Sequence, residues 1–566
     1  MSFEYQDGSE KKLFQIFENP NFCEDLTWNK YSKDWSFFYH LSPERKNLLR
    51  WLDFDKKGLK ILELGAGCGA ITSYFTSLKS EPEIVAVEGS ISRAELIKVR
   101  CKNYEKLKVV TSNIYDYNDV DKYDYVTLIG VLEYSGRYVD GDSPFLDIIR
   151  KASKFLKDDG VLIIAIENKL GHKYLAGYNE DHYGIPFEGV SDYPNYNGIK
   201  TFDKNELKDM ISKVGLVHQQ WYYPYPDYKL PKVILNDQAI ITQNFDWLTL
   251  MDFPTLDYNS FNSVLFDERN FLCSIINNVD VSVFMNSFLV FASKSNFEIK
   301  ESGYLASTMQ FSYNPKFQTI KEFLNFDKEI MVKNKKYKNG NSVSEDFSEY
   351  YSGYKNILQE ILHNFKKKNY KEVSNLLNLW FKILSQSTIG NSSENNKNVF
   401  FDFCKSHLNY KVYGRSQSNE FVLGNNIDLI LRNLLIKEED KSIKIIDQEW
   451  DPCKLLPLQY IIDRGMFYLQ LKLLTVKSGK LLTKEGEWNL PLEIRKALPV
   501  SMRKPNIKSF SIFEYWFQSG VRGGCFDHSL SKKDLDLAYP SFALRVKNKI
   551  FILLRKSVLK IKNSFN

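Results

Sequence analysis

The apolar residues between positions 59 and 168 fall into five short runs separated by segments with helical spacing. Each run is strand-length, and intervening segments such as ISRAELIKVRC mix apolar and charged residues as a surface helix does. Five alternating strands and helices are typical of a doubly wound parallel sheet. The pattern therefore predicts a Rossmann-like α/β domain that binds its ligand at the carboxyl ends of the strands.

The first apolar run ends in a glycine-rich turn. Gly65, Gly67 and Gly69 follow the strand, and a helix is expected to begin near Ala70. Glycine lets the backbone adopt positive φ and leaves no Cβ between the main chain and a ligand. We therefore expect the turn to form the floor of a site for a nucleotide-like ligand.

The second run ends in an acid, Glu88, which is placed to accept hydrogen bonds from both hydroxyls of a ribose. Glu63 precedes the turn and makes the motif E-x-G-x-G, which favours a ligand with a positive charge over a pyrophosphate. These residues resemble the class I methyltransferases that use S-adenosylmethionine. The resemblance implies that cofactor, with Ala66 and Gly89 as further contacts. A nicotinamide-dependent enzyme and a structural α/β domain remain the alternatives.

The ends of the third and fourth runs supply further candidates. Asn113 is placed to address the adenine amino group with its side-chain amide, or else only forms a turn. Val131, Leu132 and the neighbouring Glu133 follow the fourth run, where the methyl donor is expected to meet its acceptor.

A long loop follows the fifth run, at residues 167–202, and loops of this length in a compact domain are usually binding loops. It carries Lys169, His172, Lys173 and His182 immediately beyond a strand end. This set suits an anion such as a phosphate, with Lys169 and His182 as the catalytic candidates, although His182 is also able to take a proton. The aromatic-rich residues 1–50 are expected to form a helical lid, which adds Tyr39 and Arg45 as candidates.

Three segments, ENKLGHKYLAGYNEDHYG, TFDKNEL and YYPYPDYKLP, extend the resemblance. They resemble the methyltransferase modules of bacterial surface-polysaccharide assembly, and in particular the bifunctional methyltransferases and kinases that terminate O-antigen chains. The likeness covers about residues 30 to 240. It implies a lipid-linked glycan acceptor whose terminal sugar is phosphorylated and then methylated, which sets chain length.

The same resemblance implies an α+β kinase-like domain, and its chemistry has counterparts in the sequence. Asp428 would orient the acceptor hydroxyl, Asn433 and Asp447 would hold Mg²⁺, and Lys333 would bind the phosphates of ATP. The acidic partner of Lys333 would be Glu345 or Glu349.

The kinase motifs also depart from the family pattern. The usual His-Arg pair before the catalytic aspartate is Asn426-Ile427, and the metal-binding motif reads Asp447-Gln448-Glu449. The alternative is therefore a sugar O-methyltransferase whose degenerate kinase-like domain docks a glycosyltransferase.

The predicted domains are 1–50 (lid), 51–299 (methyltransferase), 300–540 (kinase-like) and 541–566 (tail). The tail is basic with an apolar helical stripe, which suits peripheral contact with the inner face of a membrane, or docking on the protein itself.

Composition limits the remaining possibilities. A net charge of +6 over 566 residues argues against a general nucleic-acid partner, and seven cysteines without a C-x-x-C pair fit a reducing cytoplasm. No signal peptide or spanning segment is evident from the sequence, so we expect a cytoplasmic protein.

Overall fold

The structure is a computed structural model that divides into two compact units. The first comprises Met1–Phe311 and Pro315–Ser352, and the second Ser312–Asn314 and Gly353–Asn566. The described residues are 8–19, 22, 34–54, 56–139, 141–255, 265–310, 319–326, 329–338, 341–350, 354–389, 420–437, 439–446, 455–476, 482–483, 485–505, 510–514 and 516–517.

The first unit is built on a sheet of twelve strands in the order β12-β11-β10-β9-β7-β6-β8-β5-β4-β1-β2-β3. The strands are β1 Lys60–Leu64, β2 Glu83–Glu88, β3 Leu107–Thr111, β4 Tyr123–Ile129, β5 Leu156–Glu167, β6 His218–Tyr225, β7 Val233–Asn236, β8 Ser287–Ser293, β9 Tyr304–Gln310, β10 Thr319–Phe326, β11 Glu329–Lys338 and β12 Asn341–Tyr350. Strands β1 to β5 pair in parallel, and β8 lies antiparallel between β5 and β6. The predicted parallel sheet is thus confirmed.

Helices cover the sheet because successive side chains of each strand point to opposite faces. In β1, Leu62 and Leu64 belong to the core on one face, and Ile61 belongs to the core on the other. The α-helices of the unit are α1 Glu10–Glu18, α2 Trp35–Leu41, α3 Asn47–Arg50, α4 Ala70–Phe75, α5 Ile91–Arg100, α6 Ser135–Tyr138, α7 Pro144–Lys154, α8 His172–Leu175, α9 Lys204–Lys213, α10 Asp237–Ile241 and α11 Glu268–Ile275. The carboxyl ends of the parallel strands meet at one edge, which positions the site.

The strands that follow residue 300 continue this sheet. Strand β9 pairs with β7, and β10 to β12 extend it as antiparallel neighbours. Leu305, Phe323 and Val332 share the hydrophobic core of the central strands, and Trp51 stacks on Tyr304 at 5.5 Å between ring centroids. The boundary predicted at residue 300 is therefore corrected to Ser352, because the sheet needs these strands to complete its core.

The second unit combines helices with two small sheets, ordered β13-β16-β17 and β14-β15-β18. Its elements are β13 Tyr354–Asn356, α12 Ile357–Lys366, α13 Tyr370–Gln386, β14 Thr388–Ile389, β15 Phe421–Leu423, β16 Leu434–Lys437, β17 Ile443–Ile445, β18 Leu455–Pro457, α14 Leu458–Val476, α15 Leu492–Ala497 and α16 Val500–Arg503. Trp380 is fully buried and donates its indole N–H to the carbonyl of Leu429 at 3.0 Å.

Two expectations of the sequence analysis fall outside the described residues: the metal ligand Asp447 and the basic tail at 541–566. Within the part of the chain that the structure describes, no helix has the length and apolar character to cross a membrane.

The corrected boundary predicts how fragments of the chain behave. A fragment of residues 1–352 should unfold cooperatively in a thermal scan. A fragment of residues 1–299 should melt at least about 10 °C lower or precipitate, because several buried side chains, each worth roughly 1.5–3 kcal/mol, lose their cover. Equal melting temperatures for the two fragments would contradict the corrected boundary.

Candidate functional site

The glycine turn has the conformation that the sequence predicts. Gly65, Gly67 and Gly69 have φ values of +76°, +56° and +76°, and α4 begins at Ala70. A Cβ on Gly65 would lie 2.4 Å from a methyl group of Val131. The turn therefore requires glycine at this position for two reasons, the backbone angle and the lack of space.

Glu88 ties the tip of β2 to this turn. Its Oε2 accepts a hydrogen bond from the backbone N–H of Gly67 at 2.7 Å, and its Oε1 accepts one from Ser90 at 2.9 Å. Burial raises the pKa of Glu88, while these backbone hydrogen bonds oppose that shift. The carboxylate is thus fixed at the strand end where a ribose is expected.

A cavity of about 740 Å³ opens above the turn. Its lining includes Glu63, Gly65, Ala66, Gly67, Glu88, Gly89, Asn113, Val131 and His182 from the sequence prediction, together with Tyr39 and Arg45. The guanidinium of Arg45 lies 4.5 Å from the centroid of the Tyr39 ring. The segment before β1 therefore forms one wall of the cavity.

Two polar side chains of the lining are held by the protein itself. Glu63 accepts a hydrogen bond from the hydroxyl of Thr72 at 2.6 Å, and burial raises the pKa of its carboxyl to about 8. The side-chain oxygen of Asn113 accepts a hydrogen bond from the backbone N–H of Tyr115 at 2.9 Å. Both side chains are oriented before any ligand enters.

Two residues predicted to contact the ligand have packing roles instead. Leu132 is fully buried in the core below the strand ends, because the short 3₁₀ helix at Leu132–Tyr134 turns it away from the cavity. Gly69 is absent from the cavity lining, and a Cβ there would come 3.3 Å from Ile97 on α5. Gly69 therefore allows α5 to approach the turn.

The cations predicted for the acceptor end are already paired. Lys169 contacts Glu206 at 2.9 Å and Asp192 at 3.3 Å, and it does not line the cavity. Lys173 contacts Asp181 at 3.2 Å. Lys169 is thus corrected from a catalytic candidate to a residue that anchors the loop to the first turn of α9.

His182 lines the cavity, on the loop that the sequence predicts to contact the methyl acceptor. Its Nδ1 is 2.8 Å from Glu180 and its Nε2 is 3.9 Å from Glu133, while Tyr134 packs edge-on against the ring. Burial alone would lower the pKa of His182, but the hydrogen bond to Glu180 and the charge of Glu167 outweigh burial and raise it to about 9. Burial, followed by the charge of Glu167, raises the pKa of Glu133.

Sequence reasoning missed three residues near His182, which are Glu167, Asp181 and Lys229. Lys229 contacts Glu167 and lies 2.7 Å from Asp181, and both Lys229 and Asp181 line the cavity. A signal was present for Lys229: β6 runs in the same direction as β5, so the residues just after it reach the same edge as the glycine turn. The prolines of YYPYPDYKLP favour an extended edge, but they do not show at which end of the sheet Lys229 lies.

The kinase residues are divided between the two units. Lys333 lies on β11 of the first unit, where its ammonium contacts Glu301, and Glu345 and Glu349 fall on β12. Asp428 and Asn433 belong to the second unit. The assignment of Lys333 to a strand of the kinase-like domain is therefore corrected, because its strand completes the sheet of the first unit.

Asp428 and Asn433 are adjacent in space. The amide of Asn433 donates to the backbone carbonyl of Asp428 at 3.0 Å, and the carboxylate of Asp428 pairs with buried Arg464 at 2.8 Å. Arg464 also contacts Glu514 at 3.2 Å. The carboxylate predicted to orient a substrate hydroxyl is thus engaged by an arginine.

The glycine turn yields a direct prediction. Gly65→Ala should weaken binding of the cavity's ligand at least about tenfold and lower stability, because it adds the overlap with Val131 to a left-handed strain of about 1–2 kcal/mol. The matched control is Gly58→Ala, with a φ of +71° but no atom within 4 Å of the new Cβ. Denaturant unfolding and ligand titration of both variants measure this difference, and equal losses would show that Val131 does not restrict the turn.

Comparison with known proteins agrees with this geometry. Residues 45–180 match the family model described as the methyltransferase small domain. The chain is 25% identical over 143 residues to (S)-coclaurine N-methyltransferase from Papaver somniferum, which covers 25% of this chain and 36% of that enzyme. It is 27% identical over 127 residues to the enzyme of the same name from Thalictrum flavum subsp. glaucum, covering 22% and 32%. The chain thus spans about a third of the length of these relatives.

Among solved structures, the CcbJ methyltransferase from Streptomyces caelestis is 13% identical, with a TM-score of 0.26 over 45% of this chain and 89% of that one. The family of residues 45–180 is inferred from the family model and from two features of the parallel sheet, the glycine turn after β1 and Glu88 at the end of β2. Together these identify residues 45–180 as a methyltransferase domain with the class I fold.

Proposed function

We propose that the protein is a methyltransferase that uses S-adenosylmethionine as its methyl donor. The observation that carries this proposal is the position of Glu88, whose buried carboxylate lies beside the glycine turn at the rim of the 740 Å³ cavity. An acid at the end of the second strand is suited to hold the ribose hydroxyls of a nucleoside. The fold and the family match support the same reaction class.

The cavity lining suggests how the donor would lie. Glu88 would accept the ribose hydroxyls, Asn113 would face the adenine, and the glycine turn would approach the amino-acid end without steric hindrance. Methyl transfer requires a lone pair of the acceptor in line with the carbon–sulfur bond. In this orientation the methyl group would face the end of the cavity that is lined by Asp181, His182 and Lys229, and the acceptor would bind there.

The charges at that end favour a neutral hydroxyl acceptor over a phosphate. Lys229 and Lys173 are each paired with carboxylates, and Glu133 and Glu167 lie behind His182. A phosphate of charge about −1.5 to −2 would meet these carboxylates at short range. We therefore propose a sugar hydroxyl as the acceptor, which was the alternative in the sequence analysis.

The identity of that sugar rests on the sequence resemblance. We propose a terminal sugar of a bacterial surface polysaccharide, presented on a lipid-linked glycan at the inner face of the membrane. The basic tail would supply the membrane contact, and the second unit would dock a glycosyltransferase partner.

One observation favours a second candidate function, phosphorylation of the glycan in the second unit with ATP and Mg²⁺. Asn433 is hydrogen-bonded to the backbone of Asp428, and strands β16 and β17, which precede Asp447 in the sequence, form a hairpin. This order resembles the catalytic loop and metal-binding motif of kinases. The pairing of Asp428 with Arg464 opposes this candidate.

Donor binding tests the main proposal. Calorimetric titration of the full chain should detect binding of S-adenosylhomocysteine. Glu88→Gln should weaken this binding about 10- to 100-fold, because a charged hydrogen bond to the ribose is lost. The matched control is Glu83→Gln, at the exposed other end of the same strand. Tighter binding of NAD than of S-adenosylhomocysteine would contradict the proposal.

Substitution of Asp428 separates a structural role from a catalytic one. Asp428→Ala should destabilise the chain by about 3–5 kcal/mol, because the buried guanidinium of Arg464 loses a partner. Exposed Glu493→Gln is the control and should leave calorimetric unfolding unchanged. An Asp428→Ala variant that keeps full stability but loses phosphate incorporation from ATP would instead support the kinase candidate.

A further inference from the structure

Three side chains from separate parts of the chain converge behind the acceptor end of the cavity. Glu133 follows β4, Glu167 is the last residue of β5, and His182 comes from the long loop. One ligand atom of each, a carboxylate oxygen or an imidazole nitrogen, lies within 4.8 Å of the other two. Two carboxylates and an imidazole at this spacing match the ligand types of divalent cation sites.

Two atoms of this group lack a hydrogen-bond partner. Oε2 of Glu133 and Oε2 of Glu167 are buried, and neither accepts a hydrogen bond from any described residue. Both side chains are essentially inaccessible to solvent. An unsatisfied buried acceptor costs about 1–3 kcal/mol, and more when it is charged, so native proteins pair buried charges or bind metals with them.

The surrounding ion pairs leave negative charge uncompensated. Contacts connect this trio to Glu180, Asp181 and Asp227, and to the ammonium groups of Lys173 and Lys229. Five carboxylates thus face two ammonium groups, which leaves three negative charges, or two when His182 is protonated. The neutral imidazole is the form that binds a metal, and a divalent cation would then balance two of the three negative charges.

The neighbouring groups orient the ligands as they do around bound metals. The contact of His182 Nδ1 with Glu180 directs Nε2 toward Glu133, as in the carboxylate–histidine pairs of known metal sites. Lys229 contacts only Oε1 of Glu167, so Oε2 remains available. His182 and Asp181 also line the cavity, which gives an ion a route to the site.

We propose that Glu133, Glu167 and His182 bind a hard divalent cation, Mn²⁺ or Mg²⁺, behind the methyl acceptor. None of these three residues belongs to the magnesium site that the sequence predicts at Asn433 and Asp447. The role of the ion in the reaction rests on the proposed methyl transfer, whereas its binding does not. The ion would draw the acceptor hydroxyl toward the donor and lower the pKa of that hydroxyl.

The bonding changes are those of a simple displacement. The oxygen–methyl bond forms while the carbon–sulfur bond breaks, and the sulfur keeps the bonding electron pair. The hydroxyl proton leaves to water in the cavity. No oxidant or further reactant is required.

The test is direct binding of the metal alone to the full chain after removal of metals with a chelator. Electron paramagnetic resonance of added Mn²⁺ should show a site in the wild type, and Glu133→Gln with Glu167→Gln should weaken it at least about tenfold. Glu206→Gln is the control, since this acid pairs with Lys169 outside the cavity. Asp428→Asn should leave this site unchanged. A titration with MgCl₂ that displaces Mn²⁺ distinguishes the two ions.

Two results would overturn the inference. One is the absence of wild-type Mn²⁺ binding up to roughly 1 mM, the weak limit of dedicated cation sites. The other is unchanged Mn²⁺ affinity in the double variant, provided that its thermal unfolding matches that of the wild type. Titration with S-adenosylhomocysteine runs in parallel. Donor binding without Mn²⁺ binding would reject the metal site alone, and Mn²⁺ binding without donor binding would reject the proposed function alone.

Discussion

The hydrogen bond from the Gly67 backbone to Glu88 joins the two parts of the molecule on which the site depends. It spans 2.7 Å between the glycine turn after β1 and the tip of β2, and it holds both in place at the carboxyl edge of the sheet. Parallel pairing of β1 with β2 and β4 brings the remaining strand ends to the same edge. The proposed ligand floor, the acid expected to bind a ribose and the proposed acceptor end thus follow from one strand arrangement.

Electrostatics decide what the far end of the cavity is able to hold. Lys173 and Lys229 are paired with carboxylates, and one oxygen each of Glu133 and Glu167 has no hydrogen-bond partner among the described residues. Such a region repels a phosphate and attracts a cation. The proposed hydroxyl acceptor and the proposed divalent cation site both follow from this imbalance of charge.

Candidate site residues that belong to a local pattern could be predicted from the sequence alone. Gly65, Gly67 and Glu88 follow from strand ends and turn chemistry, which operate over a few residues. Contacts between segments that are far apart along the chain could not be predicted in this way. Lys169 was assigned to the site because it follows a strand, but its side chain pairs with Glu206 on a helix 37 residues away along the chain.

The largest difference concerned residues 300 to 350. Lys333 fitted a kinase motif by its local sequence, yet its strand completes the hydrophobic core of the methyltransferase sheet. Strands β7 and β9 pair although they are about 70 residues apart in the sequence. The periodicity of a strand does not reveal which distant strand it pairs with. The candidate site was therefore predictable in outline, and the extent of its sheet was not.

The most direct test of the central claim is a crystal structure of the protein with S-adenosylhomocysteine. We expect the ligand to lie above Gly67, with its ribose hydroxyls about 2.6–3.0 Å from the carboxylate oxygens of Glu88. Its sulfur should face the end of the cavity that contains His182. A ligand bound elsewhere on the chain, or one whose ribose lies away from Glu88, would contradict the account.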